Sequence, residues 1–336
     1  MREADVLIAG AGPAGTTCAL LLQRQGHDTL VVDPASFPRD KVCGGGLTPP
    51  AWKLLEELFP DFRYDYLPVR EMALYMGRKY RGTYSLLHEI RVVQRRLFDN
   101  ALLEKYRSGG GVFLQERLVD VQELPDGTVE ATLFSGERIR CRYLVGADGA
   151  SSRVRRYLNP DSRADTLILE QYQPRSGKDI ISIDLGREYD NGYFYIFPNT
   201  GFDAVGYVER HTVPDKLSSL VHAFGLEESR CRGALISTAV DYPAHERILL
   251  TGDAGCWCDC LSYEGIYYAI VTGRNAAEAI LSGRPFSETN LAVAEKKRRR
   301  IKAARLLYNP VGLAMVKLIS RNRRMTEHIL NRYLRP

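Results

Sequence analysis

The stretch that decides the fold lies near the N-terminus and reads Asp5-Val-Leu-Ile-Ala-Gly10-Ala-Gly12-Pro-Ala-Gly15-Thr-Thr-Cys-Ala-Leu-Leu-Leu. Residues 5–9 form an apolar run of strand length, and residues 16–25 carry the apolar spacing of a helix, so the glycines occupy the turn between them. Gly10 permits a tight turn, Gly12 lets backbone N–H groups approach a pyrophosphate, and Gly15 lets the helix pack on the strand. The helix N-terminus would then face the phosphate charge.

A second predicted strand, residues 29–32, ends in Asp33. An acidic side chain roughly 20 residues past such glycines suits the two hydroxyls of an adenosine ribose and would repel a ribose phosphate. The sequence therefore predicts a site for FAD or NAD and disfavours NADP.

The composition is ordinary for a globular protein, with 336 residues, 45% hydrophobic and 26% charged, and two domains are the default expectation. The net charge of +5 is mild, and we expect no nucleic-acid partner; the oligomeric state stays open. Basic residues concentrate after residue 295. For this basic tail, a solvated helix and a helix that binds an anionic membrane surface are about equally favoured.

No signal-peptide pattern precedes Asp5, and no apolar run reaches the roughly 18 residues that span a bilayer. We therefore expect a cytoplasmic protein, with peripheral membrane binding as the open addition. The odd number of cysteines and the spacing of Cys256, Cys258 and Cys260 do not fit a secreted disulfide framework. We expect no metal, because a structural zinc site needs four ligands at wider spacing; small buried thiols are favoured, and a redox role stays open.

The segment from Pro34 to Pro50 predicts a loop because prolines and glycines interrupt it, and it contains Lys41, Cys43 and the triple glycine 44–46. A flexible connector is one interpretation. A connector would rarely carry a lone cysteine between a lysine and three glycines, so a loop that faces a ligand is favoured.

Further motifs follow the glycine turn in order: Arg95-x-x-Phe98-Asp99, Gly146-Ala-Asp148-Gly149, Gly252-Asp253-Ala and Glu264-Gly265-Ile266. This ordered set resembles the flavoprotein fold of the p-hydroxybenzoate hydroxylase and glutathione reductase type. Within it, Phe37-Pro-Arg-Asp-Lys41-x-Cys43-Gly44-Gly45-Gly46-Leu and Tyr193-x-Tyr195-x-Phe197-Pro198 resemble the geranylgeranyl reductase family, whose members reduce isoprenoid double bonds with FAD. The resemblance spans about residues 4–280 and leaves the basic tail uncovered.

The resemblance implies an α/β fold: a Rossmann-like FAD-binding domain with an inserted antiparallel β-sheet substrate domain and a helical C-terminal tail. We place the discontinuous FAD-binding domain at residues 1–62, 88–160 and 245–285. The substrate domain takes residues 63–87 and 161–244, a strand-rich and aromatic stretch, and the basic helical region takes 286–336.

The resemblance also implies a set of site residues. In the FAD site, the glycine turn would hold the pyrophosphate, Asp33 the ribose, Arg95 the phosphate charge and Asp253 the ribityl or pyrophosphate oxygens. Gly265 and Ile266 would present N–H groups to the flavin pyrimidine edge, and Asp148 would anchor a turn beside the cofactor. The full cofactor-binding set is Gly10, Gly12, Pro13, Ala14, Gly15, Asp33, Lys41, Gly44, Gly45, Arg95, Val119, Asp148, Gly252, Asp253, Gly265 and Ile266.

The implied substrate-binding residues are Tyr193, Tyr195, Phe197 and Pro198, for which a packed sheet face is about as favoured as a substrate wall. Two departures from the family pattern stand out. Tyr195 replaces the usual Trp, which keeps the aromatic character and loses bulk. Gly255-Cys-Trp-Cys-Asp-Cys260 replaces the usual Ala-Gly followed by a Pro.

The resemblance implies an FAD-dependent oxidoreductase that reduces carbon–carbon double bonds of an isoprenoid chain or prenylated lipid. The rival interpretations are a flavin monooxygenase or halogenase acting on an aromatic substrate, and a noncatalytic flavin-binding sensor. The sequence shows no second dinucleotide fingerprint, so the electron donor is left open between NAD(P)H and a reduced ferredoxin.

The resemblance places Cys43 close to the reacting face of the flavin, and Cys43 is the predicted catalytic residue. An alkene that receives hydride at one carbon needs a proton at its neighbour, and water is scarce in an apolar pocket, so a positioned thiol with Lys41 nearby could supply that proton. The alternative interpretation is a structural thiol beside the glycine turn.

Overall fold

The computed structural model describes residues 2–210, 215–239 and 245–335, so the predicted domain boundary at residue 244 lies outside the described residues. The strands are β1 (Arg2–Ala9), β2 (Thr29–Val32), β3 (Gly46–Leu47), β4 (Leu67–Met76), β5 (Lys79–Val92), β6 (Val112–Leu114), β7 (Leu118–Glu123), β8 (Val129–Leu133), β9 (Arg138–Gly146), β10 (Thr166–Gln173), β11 (Ile180–Leu185), β12 (Tyr193–Pro198), β13 (Asp203–Glu209), β14 (Arg232–Ile236) and β15 (Ile248–Leu250).

The helices are α1 (Pro13–Gln23), α2 (Pro49–Leu58), α3 (Arg95–Ser108), α4 (Arg153–Leu158), α5 (Lys216–Ala223), α6 (Ile266–Ser282), α7 (Phe286–Thr289), α8 (Leu291–Leu307), α9 (Pro310–Ile319) and α10 (Arg323–Tyr333), with a 3₁₀ helix at Gly252–Gly255. The break predicted at Asn309-Pro310 is present. Asn309 Oδ1 accepts the N–H groups of Val311 and Gly312 at 2.9 and 2.8 Å and so begins α9. None of the helices in the described ranges is long and apolar enough to cross a membrane.

The chain forms two compact units. The first contains residues 1–39, 98–165 and 236–298, and the second contains residues 40–97, 166–235 and 299–336. The prediction of an α/β flavoprotein fold with a second, sheet-based domain is confirmed.

The sheet of the first unit has the order β6-β2-β1-β9-β8-β7, with β15 also beside β9. The strands β6, β2, β1, β9 and β15 run parallel, whereas β7, β8 and β9 form the predicted meander. Strand β9 is long enough to pair with β8 through its first half and with β15 through Leu144 to Gly146. The carboxyl ends of β1, β9 and β15 therefore meet at one edge of the sheet, where ligands of parallel sheets bind.

The sheet of the second unit has the order β14-β10-β13-β12-β11-β4-β5-β3. The pairs β10–β13, β13–β12, β12–β11, β4–β5 and β5–β3 are antiparallel, whereas β4 and β11 pair in parallel. The predicted all-antiparallel sheet is thus corrected to a mixed one. The reason is that β4 and β11 come from two separate insertions, so no hairpin forces them to alternate in direction.

The units divide the chain at other residues than the predicted boundaries. Residues 40–62 and 88–97 join the second unit because β3 pairs with β5, which extends to Val92. The tail is also divided, since residues 299–336 belong to the second unit. There α10 packs along β5, and Leu87 N donates to Asn331 Oδ1 at 2.7 Å.

Candidate active site

The β1–α1 turn uses its three glycines for two different purposes. A Cβ at Gly10, whose φ is +109°, would strike the Ala147 carbonyl, and a Cβ at Gly15 would strike the Gly10 carbonyl. At Gly12, Arg39 Nη2 at 3.5 Å is the only atom of the described residues that a Cβ would approach. Gly10 and Gly15 are therefore required by packing, whereas Gly12 leaves open backbone at the N-terminus of α1, where a phosphate group fits.

Asp33 follows β2 and is buried. Its Oδ2 accepts the N–H of Ala11 and its Oδ1 accepts the N–H of Ala35, both at 2.9 Å. The carboxylate thus ties the glycine turn to the end of β2, and each oxygen keeps a lone pair for a further donor such as a ribose hydroxyl.

Arg39, in the loop after β2, reaches the glycine turn and is a basic residue that sequence reasoning did not select. Its Nη2 lies 3.2 Å from Asp99 Oδ2, a fully buried carboxylate on α3, and its guanidinium lies 4.9 Å from the centre of the Phe37 ring. Asp99 holds this cation beside Gly12. The sequence contained a signal for this ion pair, because Arg39 belongs to the Phe37-Pro-Arg motif and Asp99 to the Arg95-x-x-Phe98-Asp99 motif. Arg95, predicted for the phosphate charge, lies in the second unit.

The third part of this edge is the turn after β15. Gly252, with φ +54°, donates its N–H to Thr272 Oγ1 of α6 at 2.9 Å, and its Cβ would lie 3.1 Å from the Ala14 Cβ. A Cβ at Gly265 would have Asp253 Oδ1 as its nearest neighbour at 3.8 Å. The structure thus brings Ala14, Gly252, Asp253 and Gly265 together, with Ile266 beginning α6.

Arg155, on α4, binds the backbone of the turn after β15. Sequence reasoning missed this residue as well. It is 1% exposed, and its Nη1 donates to the carbonyls of Asp253 and Ala254, both at 2.9 Å. The guanidinium thus holds the backbone of the turn that carries Asp253, whose side chain is half-buried. The run of arginines in the short helix after Gly149 was the available signal.

Two predicted cofactor residues occupy more peripheral places. Asp148 Oδ2 accepts the N–H groups of Arg153 and Val154 at 2.7 and 3.4 Å, so its carboxylate caps α4. Val119 lies half-buried on β7 of the meander. The predicted anchoring role of Asp148 agrees with this capping; a contact of either residue with a cofactor stays a prediction.

The second unit contains Lys41, Cys43, Gly44, Gly45 and Arg95, together with the aromatic strand β12. Gly45, with φ +78°, leaves room for the Val93 carbonyl, and its own carbonyl accepts the N–H of Val93 at 2.9 Å. A Cβ at Gly44 would lie 2.9 Å from the Phe197 ring. The glycine loop is therefore packed tightly against β12. Half-buried Lys41 precedes this loop.

Glu170, on β10, links Cys43 to Tyr195 and is a residue that sequence reasoning missed. Its Oε1 accepts the N–H of Cys43 at 3.3 Å, and its Oε2 accepts the Tyr195 hydroxyl at 2.8 Å. Glu170 is 1% exposed. Burial raises the pKa of Glu170 to about 7, against the opposing effects of both hydrogen bonds and of the charges of Arg232 and Arg95. A lone acid in the apolar strand Leu167-Ile-Leu-Glu170 was the available signal.

The strand register explains how Glu170 and Tyr195 reach each other. Both pair with Gly206 of the intervening strand β13. A Cβ at Gly206 would lie 2.6 Å from the Tyr195 hydroxyl, so the missing side chain opens the path between them. Burial and the Glu170 carboxylate hold the pKa of Tyr195 well above its ordinary value, which keeps the phenol a donor. Tyr195, in the place of the family's usual Trp, thus adds a hydroxyl, and this hydroxyl donates to Glu170.

The other predicted substrate residues lie on the same strand. Tyr193 and Phe197 point to the same side as Tyr195, with ring centres 6.3 and 5.6 Å from that of Tyr195, and both are half-buried. Pro198 is buried and ends the strand. Tyr195 itself is 3% exposed, so its ring is packed, and its hydroxyl is hydrogen-bonded to Glu170.

The cysteine loop of the first unit rests on a lysine of the predicted basic tail. Lys297 is fully buried, and its Nζ donates to the carbonyls of Cys256, at 2.6 Å, and Cys258. All described cysteines are free thiols, and no group of three or more metal-ligating side chains occurs in the part of the chain that the structure describes. Burial raises the pKa of Cys260 to about 11, which opposes a reactive thiolate there.

The first unit therefore presents two helix N-termini, a glycine cradle and two placed carboxylates at one sheet edge, which together fit a dinucleotide of the flavin type. Residues 3–167 match the FAD-binding-domain family. The fold and the site thus define a FAD-dependent oxidoreductase.

The comparisons with known proteins carry the assignment further. The chain is 31% identical over 320 residues to the menaquinone reductase of Mycolicibacterium smegmatis, covering 84% of this chain and 77% of the relative. It is 25% identical to the digeranylgeranylglycerophospholipid reductase of Methanothrix thermoacetophila, covering 88% of this chain and 83% of that one. A geranylgeranyl bacteriochlorophyll reductase-like structure from Thermoplasma acidophilum aligns with a TM-score of 0.82 at 22% identity, covering 96% of this chain and 92% of that chain. The chain belongs to the geranylgeranyl reductase-type family of FAD-dependent oxidoreductases.

Proposed function

We propose that this reductase saturates carbon–carbon double bonds in the isoprenoid chain of a lipid. The observation that carries the proposal is the buried Glu170 carboxyl, which accepts the backbone N–H of Cys43 and the hydroxyl of Tyr195 and whose pKa is raised by burial to about 7. An alkene, unlike a quinone carbonyl or oxygen, cannot accept hydride without a proton placed at the neighbouring carbon.

Each residue of this cluster has a distinct part in the proposal. FAD, when bound, would supply the hydride chemistry for one alkene carbon. The Cys43 thiol would give its proton to the other carbon, and Glu170, which accepts the backbone N–H of the same residue, would be the acid that restores the thiol proton. Tyr195 keeps the carboxyl oriented, since its hydroxyl donates to Oε2 at 2.8 Å. Glu170 thus acts through Cys43, and Cys43 is the catalytic residue in the proposal.

The relatives support the substrate class. Menaquinone and digeranylgeranylglycerophospholipid, which name two of the similar proteins, are both lipids with isoprenoid chains. The aromatic side chains of Tyr193 and Phe197 would provide an apolar wall for such a chain. NAD(P)H or a reduced ferredoxin would serve as the electron donor.

Anaerobic mixing of the dithionite-reduced holoenzyme with a geranylgeranyl lipid or with menaquinone tests the proposal without knowledge of the donor. We expect the oxidised flavin absorbance to return while the lipid gains two hydrogens per reduced double bond, followed by mass spectrometry. Reoxidation that requires oxygen and leaves the lipid mass unchanged would instead support the monooxygenase or halogenase alternative. A flavin that turns over under neither condition would support the sensor.

A further inference from the structure

The C-terminal part of the second unit exposes an apolar helix face. Leu306, Val311, Met315 and Leu318 are 60, 66, 52 and 65% exposed. Val311, Met315 and Leu318 follow the i, i+4, i+7 spacing and share one face of α9. The opposite face is packed, because Gly312 and Leu313 are buried and Leu313 joins a cluster with Met76 and Leu185.

The position of this face is fixed by the corner between α8 and α9. A Cβ at Gly312 would strike the carbonyls of Leu306 and Leu307, so the two helices meet with backbone in close contact. Asn309 caps α9 from within that corner. Leu306 lies near the C-terminal end of α8, immediately before this corner, and its side chain is exposed.

The charges of the chain segment that carries the apolar face all have one sign. The sequence holds no Asp or Glu between Glu295 and Glu327. Exposed basic residues in this interval of the second unit include Lys302, Arg305, Lys317, Arg321 and Arg324. Lys317 lies on α9, and Arg321 lies in the turn that follows it.

We propose that this face, Leu306 with α9 and the basic side chains of the same segment, docks on the surface of a bilayer that contains anionic lipids. The helix is too short to cross a bilayer, whereas an apolar face with lysine and arginine beside it is what lies in the headgroup region. The basic side chains of this segment complement anionic headgroups. The inference depends on this surface alone and does not rest on the proposed substrate.

Sedimentation of the FAD-loaded enzyme with vesicles tests the proposal, using phosphatidylcholine alone and phosphatidylcholine mixed with phosphatidylserine. We expect binding to the mixed vesicles that weakens with added salt, because exposed charges are screened over about 8 Å at physiological ionic strength. Lys317→Gln with Arg321→Gln should lower the vesicle partition coefficient on the order of tenfold, and Val311→Ser with Leu318→Ser should abolish binding. These positions are exposed, so the variants should keep their bound FAD.

Phe134→Ser and Lys79→Gln are matched controls, since both side chains are exposed on other elements, and both variants should bind as the wild type does. Failure of the wild type to bind the mixed vesicles, or unchanged binding by both double variants, would overturn the proposal. So would a self-association in solution that Val311→Ser with Leu318→Ser removes while vesicle binding persists, because the face would then be an interface between copies of this chain.

Discussion

The nucleotide turn of the first unit and the Cys43–Glu170–Tyr195 cluster of the second are built by different means. The turn gathers Gly10, Gly12, Gly15 and Asp33 from 24 successive positions of the chain. The cluster joins a loop, β10 and β12, whose residues lie up to 152 positions apart in the sequence. The side chains of Glu170 and Tyr195 meet only because Gly206, on the strand between them, has no side chain. Local motifs of the first kind can be identified from sequence, whereas contacts of the second kind depend on strand register.

The difference also concerns where substitutions should be tolerated. In the turn, two glycines are fixed by backbone contact and one faces open space. In the cluster, Glu170 and Tyr195 are buried and Cys43 is half-buried. A substitution there should therefore alter proton transfer before it alters the binding of FAD. The following experiments separate these effects.

The largest effect is expected at the glycine turn. Gly15→Val should prevent folding, because its Cβ would overlap the Gly10 carbonyl. Gly12→Leu should fold, since in the described part of the chain a Cβ there would approach only Arg39 Nη2, at 3.5 Å. Gly12 has a φ of −76°, which a leucine also adopts. We expect soluble, colourless protein for Gly12→Leu, measured by circular dichroism and by the flavin absorbance.

Retention of full FAD occupancy by Gly12→Leu would show that the pyrophosphate does not approach this backbone. Gly12→Ala is the graded control, and its small side chain should lower FAD affinity less than leucine does. Equal stability of Gly15→Val and wild type would contradict the packing role of Gly15.

The second effect is kinetic and belongs to the cluster. Cys43→Ala should keep FAD and accept electrons normally, yet lose about 10²-fold or more in alkene reduction, the scale for loss of a positioned acid. Stopped-flow measurements separate flavin reduction from flavin reoxidation by the lipid. Cys231→Ala, at an exposed cysteine of the same unit, should leave both steps near wild-type rates. If Cys43→Ala also leaves both unchanged, the thiol is structural.

Much of the first unit was predictable for a physical reason. The carboxyl ends of parallel strands meet at one edge, so motifs that follow strands, such as Gly10, Asp148 and Gly252, had to converge. Arg155 and Lys297 escaped prediction because their partners are backbone carbonyls, which carry no residue identity. Glu170 escaped because its role depends on the alignment of β10 with β12 across β13. The parallel pairing of β4 with β11 escaped for the same reason.

The third effect follows from the raised pKa of Glu170, which rises from 4.5 to about 7 in the folded protein. Between these values the folded state binds the proton more tightly than the unfolded state, so this group makes the free energy of unfolding fall as pH rises. At about 1.4 kcal/mol per pKa unit, the loss is roughly 3 kcal/mol once pH exceeds the folded-state value.

Chemical denaturation at pH 5 and pH 8 measures this loss. Glu170→Gln should reduce the difference in unfolding free energy between the two pH values, because an amide does not titrate. Glu57→Gln, at an exposed position, should leave the difference as in the wild type. An identical pH dependence for Glu170→Gln and wild type would mean that the Glu170 carboxyl is not held near neutrality.

The smallest effect is expected at the contact between Lys297 and the cysteine loop, which lie far apart in the sequence. A substitution of Lys297 tests whether this contact also supports the first unit. Lys297→Met keeps the length of the buried side chain and removes the hydrogen bonds to the Cys256 and Cys258 carbonyls. We expect a loss of about 1–3 kcal/mol in the free energy of unfolding. Because these carbonyls lie between Asp253 and Gly265, a weaker affinity for FAD should accompany that loss. Arg298→Met, on the adjacent exposed position of α8, should change neither quantity. If Lys297→Met lowers stability and leaves FAD affinity unchanged, the cysteine loop serves the fold alone, and the flavin edge of the site depends only on the local motifs.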